Sequence, residues 1–345
     1  MKICYFGHPA HQWSGSSRFF EEILEELGTV TYLRPDPISV DHDVRWAIEK
    51  DFNLYVFFQF DFLAYAFVSA GKRVVIVPMV DGSASYGSEH WKMLRNASFV
   101  SFSPTLHMFL KFQSKKSFAI QYWPEPKVYK SPNSNSVYYW PRGHHNFVST
   151  KLILTAMENY PDFKVKVRAS EDPQSILDYS RLNSDRLQIL NINSKPEHIN
   201  QILDSAIFVA PRPSEGIGHS FLEAMSIGRV VLAKNFPTMS DYIISGKTGV
   251  FFPKRFKPLP SGLEWETMGR SALNEVEQGH LKYLDNKPLL IQFLIKVEPS
   301  PVKFKIREIH RLIDLSCAIM RGDYFPSGKF RTLQNFSNVK AAVKL

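Results

Sequence analysis

Glu215-Gly216-Ile217-Gly218-His219-Ser220-Phe221-Leu222-Glu223 sets two carboxylates apart by seven residues, with a glycine-rich turn between them. Ahead of it, Ala206-Ile207-Phe208-Val209-Ala210 is short, apolar and β-rich, which reads as a buried strand. Ser220 followed by Glu223 fits a capping box, with apolar Phe221, Leu222, Ala224 and Met225 behind it. Gly228 supplies a helix stop, and Val230-Val231-Leu232-Ala233 the next strand. The unit is strand, turn, helix, strand. In open α/β sheets ligands sit beyond the carboxyl ends of the strands. Free amides and the positive end of a helix dipole favour an anion there, typically a phosphate. Taken singly, Glu223 reads equally as a helix cap and Glu215 as a solvated loop acid; the pair in this setting is more specific.

Outward from this stretch, strands keep alternating with helices. Lys2 to Phe6 reads as the first strand, followed by a loop, His8 to Ser17, and an amphipathic helix, Arg18 to Leu27, with Phe19, Phe20, Ile23, Leu24 and Leu27 on one face. Thr29 to Leu33, Asp51 to Phe58, Arg73 to Pro78, Phe99 to Phe102 and Phe118 to Ile120 continue as strands. Lys130-Ser131-Pro132-Asn133-Ser134-Asn135-Ser136 is polar and turn-rich, and reads as an interdomain linker. A second series follows with strands at Val137 to Trp140, Phe163 to Val167, Leu187 to Leu190, Ile207 to Ala210 and Val230 to Ala233. Such alternation implies mainly parallel sheets in two α/β domains. The expected divisions are 1–132, 133–300 and a helical tail, 301–345.

The 345 residues suit about two domains, and 44% hydrophobic residues is ordinary for a globular chain. Two cysteines, Cys4 and Cys317, argue against a disulfide framework or a cysteine-based metal site. The N-terminus enters a strand at once, so no cleavable signal is expected and the cytoplasm is the default compartment. Leu54 to Ala70 is the most apolar stretch, but Gln59 and Asp61 interrupt it; a strand (54–58), a polar turn and a buried helix (62–70) fit better than a membrane span. The net charge of +9 attracts anions in general. No recognition helix, RNA-binding motif or concentrated basic block accompanies it, so nucleic acid is not an expected partner. Lys303, Lys305, Arg307 and Arg311 alternate with Phe304, Ile306 and Ile309, a pattern that suits either a helix packed on the first domain or peripheral contact with an anionic membrane on its inner face.

The two glutamates with Glu-Gly-x-Gly, then Gly228, Asp241-Tyr242-Ile243-Ile244 and Gly246-Lys247-Thr248-Gly249 in that order, resemble the motif series of retaining glycosyltransferases of the GT-B fold, particularly family 4. The resemblance covers roughly residues 1–255, is motif-specific only in the second domain, and fades beyond Pro253. It implies two Rossmann-like domains facing each other across a deep cleft, acceptor binding in the first and nucleotide-sugar binding in the second. It also implies a C-terminal helix that can cross back to the first domain. The implied reaction is transfer of a sugar from a nucleotide-diphosphate donor to a hydroxyl of a saccharide, glycolipid or glycoconjugate, with retention and without a metal or other cofactor.

Residue by residue, the resemblance gives Glu223 the ribose hydroxyls, Glu215 the donor sugar, and the amides around Gly218, His219, Ser220 and Phe221 the phosphates. Arg142, just after the first strand of the second domain, matches an arginine that contacts the diphosphate, and Arg212 is a further candidate cation. Relatives also carry a lysine a few residues on; here Gly143-His144-His145-Asn146 stands instead, with His145 as the candidate substitute. In the first domain Gly15 allows close backbone approach to the diphosphate, and Asp81 lies where relatives place a polar residue near the acceptor. Gly15, Asp81, Arg142 and the Glu215–Glu223 loop are thus expected to line the cleft. His8, His11 and His107 read as structural. No zinc-like spacing and no Asp-x-Asp are present, so no metal site is expected. The missing lysine keeps a second reading open, a GT-B scaffold that binds nucleotide sugar without catalysis.

Overall fold

A computed structural model describes residues 1–323 apart from 114, 143–145, 171, 254–256 and 302–303. His145, Arg255 and Lys303, all named above, lie outside the described residues. The chain forms two compact units, Met1–Gln121 with the residues from Leu284 onward, and Tyr122–Tyr283. The sequence placed the divisions at 132 and 300; the compact units divide at 121/122 and 283/284, the latter inside the long helix Trp265–Ile295.

The first unit holds β1 (Lys2–Gly7), β2 (Thr29–Leu33), β3 (Leu54–Phe58), β4 (Val74–Val77), β5 (Ser98–Ser101) and β6 (Lys116–Ala119). They form one six-stranded sheet in the order β2-β1-β3-β4-β5-β6. Every pairing is parallel. β3 and β4 are buried along their whole length, which is why they read as unbroken apolar runs rather than alternating ones. The stretch after β3 is a 3-10 turn, Asp61–Leu63, and a fully buried helix, Ala64–Ser69. No described helix is long and apolar enough to cross a membrane.

The helix Ile306–Arg321 belongs to this first core. Ile313, Cys317 and Ile319 are buried in it, with Ile309 and Leu312 packed alongside, a single stripe at helical spacing. Each such side chain contributes roughly 1.5–3 kcal/mol when fully buried. Ser316 Oγ donates to the Phe62 carbonyl at 2.8 Å. Of the apolar residues read as a membrane-facing pattern, Ile309 is used in packing, while Phe304 and Ile306 are 46% and 73% exposed.

The second unit holds β7 (Ser134–Tyr139), β8 (Lys164–Arg168), β9 (Leu187–Leu190), β10 (Ser205–Val209), β11 (Val230–Ala233) and β12 (Gly249–Phe251). The order is β12-β11-β10-β7-β8-β9, again parallel throughout. The segment read as a linker is not one. Ser134–Ser136 already belongs to β7, and Lys130 accepts a 2.7 Å hydrogen bond from the guanidinium of Arg229, which is 1% exposed. Arg229 also donates to Ile202 and Leu203 carbonyls near the end of helix Lys195–Asp204, where a cation complements the helix dipole. Several of these polar side chains face solvent, but the Lys130 carbonyl and the Ser136 hydroxyl serve buried partners.

Candidate functional site

In each sheet the chain reverses its direction of growth once, between β1 and β3 in the first and between β7 and β10 in the second. Beyond the carboxyl ends of strands flanking such a reversal lies the usual ligand crevice of an open α/β sheet. In the second unit that edge carries most of the candidate residues. Arg142 follows β7; Arg212, Glu215 and Gly218 follow β10.

The helix after β10 is His219–Ser226, and its N-cap is Gly218 at φ +87°. The capping box read from Ser220 and Glu223 therefore does not form: the helix begins two residues earlier than that box requires. A Cβ at Gly218 would lie 1.9 Å from the Phe221 ring, so the left-handed turn and the close ring contact both demand glycine. The first intrahelical bond is Leu222 N–H to the Gly218 carbonyl at 3.0 Å. The amides of residues 219–221 precede it, and are the donors a helix N-terminus offers to an anion. Gly228, at φ +75°, ends the helix, its N–H donating to the Met225 carbonyl at 2.9 Å.

Freed from capping, Glu223 is a half-buried carboxylate on this helix. Burial pushes its pKa up, while Lys195 and Lys127 pull it back. Glu215 lies in the loop with its carboxylate 3.8 Å from the Arg212 guanidinium. The Glu215 carbonyl accepts a short hydrogen bond from Thr238 Oγ1, which also reaches the Gly216 carbonyl at 3.3 Å, so the loop backbone is held from behind.

Arg142 lies over the Trp140 ring, its Cζ 3.4 Å from the centroid, and its backbone N–H donates to Asn146 Oδ1 at 2.6 Å. Burial lowers its pKa to about 10, with the charges of Glu215 raising it and those of Arg212 and Arg168 lowering it. It stays protonated at neutral pH. Arg142, Arg212 and Glu215 thus form one electrostatic cluster at the sheet edge, with Arg168 as a member the sequence reading missed. His198, Lys195 and Lys127 were missed as well. Burial, then Arg168, Arg142 and Lys195, holds the His198 pKa down at about 4, so its Nδ1 meets Tyr138 Oη at 2.8 Å as a neutral ring. The Tyr122 and His219 rings lie 5.0 Å apart.

The other two candidates belong to the first unit. Gly15, at φ +66°, is the stop of the short helix Ala10–Ser14 after β1. Asp81 is exposed on the short helix Val80–Ser83 that follows β4. Beneath it lies a network the sequence showed only as a polar interruption. Asp61, fully buried, accepts from Ser83 Oγ at 2.5 Å and lies 3.7 Å from His90 Nε2. His90 Nδ1 meets Tyr65 Oη at 2.5 Å, and Ser83 Oγ accepts from the Met79 N–H at 3.1 Å. The turns after β3 and β4 are thereby fixed to each other. Among the described residues no cluster of three or more His, Cys, Asp or Glu could hold a metal ion.

Comparison with known proteins finds a family match over part of the chain and similar folds. Residues 168–258 match the family model for glycosyl transferases group 1, a span that contains both glutamates. No curated protein sequence matches significantly. In fold the chain is similar to sucrose-phosphate synthase from Thermosynechococcus elongatus (TM-score 0.64, 12% identity, 86% of this chain and 98% of that one). It is likewise similar to the lipopolysaccharide outer core galactosyltransferase WaaB (TM-score 0.54, 13% identity, 100% of both chains). A third similar fold is Anabaena HepE, solved with UDP and glucose (TM-score 0.50, 14% identity, 92% of this chain and 100% of that one). The two parallel six-stranded sheets are those of the GT-B glycosyltransferases. The group 1 match lies within the second unit and takes in the loop and helix that carry Glu215 and Glu223.

Proposed function

We propose that this protein is a retaining, metal-independent glycosyltransferase. It moves a sugar from a nucleotide-diphosphate donor to a hydroxyl of a saccharide, glycolipid or glycoconjugate. The observation that carries the reading is Glu223 held half-buried on a helix whose glycine-led N-terminus sits at the sheet's reversal point, with Arg142 on the same edge. In this reading Glu223 accepts hydrogen bonds from the ribose hydroxyls. The amides of residues 219–221 and the guanidiniums of Arg142 and Arg212 meet the diphosphate. As the bond from the sugar to the diphosphate breaks, the leaving oxygen gains charge, and cations and dipoles already in place stabilise it. The acceptor oxygen bonds to the same face of the sugar, and its proton passes to the departing phosphate. Glu215 meets the sugar, with Arg212 beside it. Gly15 and Asp81, at carboxyl ends of the first unit's strands, keep the roles the resemblance implies: close approach to phosphate and orientation of acceptor.

HepE, similar in fold, was solved with UDP and glucose, so UDP-sugars head the donors to try. The test is a panel of nucleotide sugars with saccharide and lipid-linked acceptors, with and without EDTA, read by release of nucleoside diphosphate. Release that survives EDTA supports the reading, and release that disappears with EDTA removes metal independence. Glu215→Gln should cut turnover while nucleoside diphosphate affinity stays close to the parent's, because that product carries no sugar. A parent that binds nucleotide sugar but never transfers it favours the non-catalytic scaffold.

Peripheral contact with an anionic membrane is a separate element of the proposal. Its support is the net charge of +9 together with exposed Phe304 and Ile306 ahead of Arg307 and Arg311. Equal co-sedimentation with neutral and anionic vesicles, or none with either, ends it.

A further inference from the structure

The sequence after Arg142 lacks the lysine that the resemblance calls for, and His145, the candidate substitute there, lies outside the described residues. The fold brings a replacement from another strand. β8 runs parallel to β7 with Val167 opposite Tyr139. Arg168, the last residue of β8, therefore leaves the sheet beside Trp140, at the same carboxyl edge as Arg142. Both guanidiniums lie over one indole: Arg142 Cζ is 3.4 Å and Arg168 Cζ 4.3 Å from the Trp140 centroid.

A ring face attracts either cation, but two like charges this close repel each other unless an anion shares them. Glu215, 3.8 Å from Arg212, also acts on Arg142, but among the described residues no carboxylate forms an ion pair with Arg168. The platform is itself fixed: Trp140 packs edge-on against His198, 4.5 Å between centroids, and His198 is bonded to Tyr138 Oη at 2.8 Å. A planar guanidinium fork held over an indole is suited to bidentate contact with phosphate oxygens, where a lysine would act as a point charge.

We propose that Arg168 takes the place of the absent lysine, so that Arg142 and Arg168 on Trp140 form a paired-guanidinium seat for the donor's diphosphate. The inference rests on reading this edge as the donor site, and the experiment separates the two. Parent, Arg168→Gln and Arg168→Met are titrated calorimetrically with nucleoside, nucleoside monophosphate and nucleoside diphosphate; the Met variant keeps the aliphatic stem on Trp140. Arg168→Lys serves as the charge-restoring control, and circular dichroism reports folding. Both neutral variants should weaken diphosphate binding by about 10- to 100-fold. Nucleoside binding should stay at the parent's level, and Lys should restore part of the loss. The proposal is overturned if the neutral variants hold the diphosphate as tightly as the parent, or lose nucleoside and diphosphate in equal proportion. If the parent itself binds no nucleoside diphosphate, the donor-site reading fails and this inference with it.

Discussion

Glu223→Gln is the most informative single change in the second unit. The side chain keeps its size and loses its charge. In the proposed site the carboxylate accepts two ribose hydroxyls, and replacing it with an amide sacrifices charge-assisted hydrogen bonding worth roughly 1.5–3 kcal/mol. Nucleoside diphosphate affinity should therefore fall about 10- to 150-fold. The folded state has no corresponding debt. Gly218, not Ser220, is the N-cap, so Glu223 closes no capping box and the helix loses no cap. Burial raises the pKa of Glu223, which means that its charge is held at a cost. Removing it should leave the melting temperature unchanged or slightly higher. Calorimetric titration gives the affinity and a thermal melt by circular dichroism gives the stability. Parent-like affinity in a folded Glu223→Gln protein refutes the ribose role. A lowered melting temperature with loss of helix refutes the inference that Glu223 does no capping.

The raised pKa of Glu223 sets a pH dependence: affinity should decline on acidification through a pH above the ordinary glutamate range near 4.3, and Glu223→Gln should lack that step. The sign for stability is opposite, because a carboxyl raised in the folded state stabilises below its unfolded pKa and loses that contribution as pH rises through the folded one; parent stability relative to Gln should thus grow on acidification. Gly218→Ala places a Cβ 1.9 Å from the Phe221 ring at φ +87°. Left-handed backbone alone costs about 1–2 kcal/mol for a residue with a Cβ, so both melting temperature and nucleotide affinity should drop, and a variant matching the parent in both would contradict the geometry. Asp61→Ala strips the partner from fully buried His90 and Ser83. Burial keeps His90 neutral, so the loss is that of buried donors left without an acceptor, about 1–3 kcal/mol, which urea denaturation followed in the first unit should register; a loss below about 1 kcal/mol would show that the network is not structural.

Much of the fold could be read because its strands are buried on both faces and bounded by polar turns. Leu54–Phe58 and residues 206–209 are uninterrupted apolar runs at sheet centres, and composition suffices to find them. β7 is different: it begins at polar Ser134 rather than Val137. Ser136, fully buried, bonds to Ser205 Oγ at 3.0 Å, so hydroxyls from a neighbouring strand replace the apolar contacts that mark a strand in sequence. The Glu215–Glu223 stretch was legible because its chemistry is local. The same stretch misled about its cap: Ser220 and Glu223 have the spacing of a capping box, but the Phe221 ring against Gly218 starts the helix earlier. Arg168, Lys195 and His198 could not be read as site residues, since only sheet register and the crossover helices bring them to Arg142 and Glu223. Noting which cations stand at the carboxyl ends of adjacent strands would have raised Arg168.

Hydrogen–deuterium exchange with and without nucleoside diphosphate locates the donor directly. Binding at the β7/β10 edge predicts slowed exchange in residues 215–223, centred on the helix N-terminus, together with slowing at 140–142 and around 168. Protection confined to other segments, or none at concentrations where calorimetry shows saturation, would contradict a donor site built on Glu223, Gly218 and Arg142.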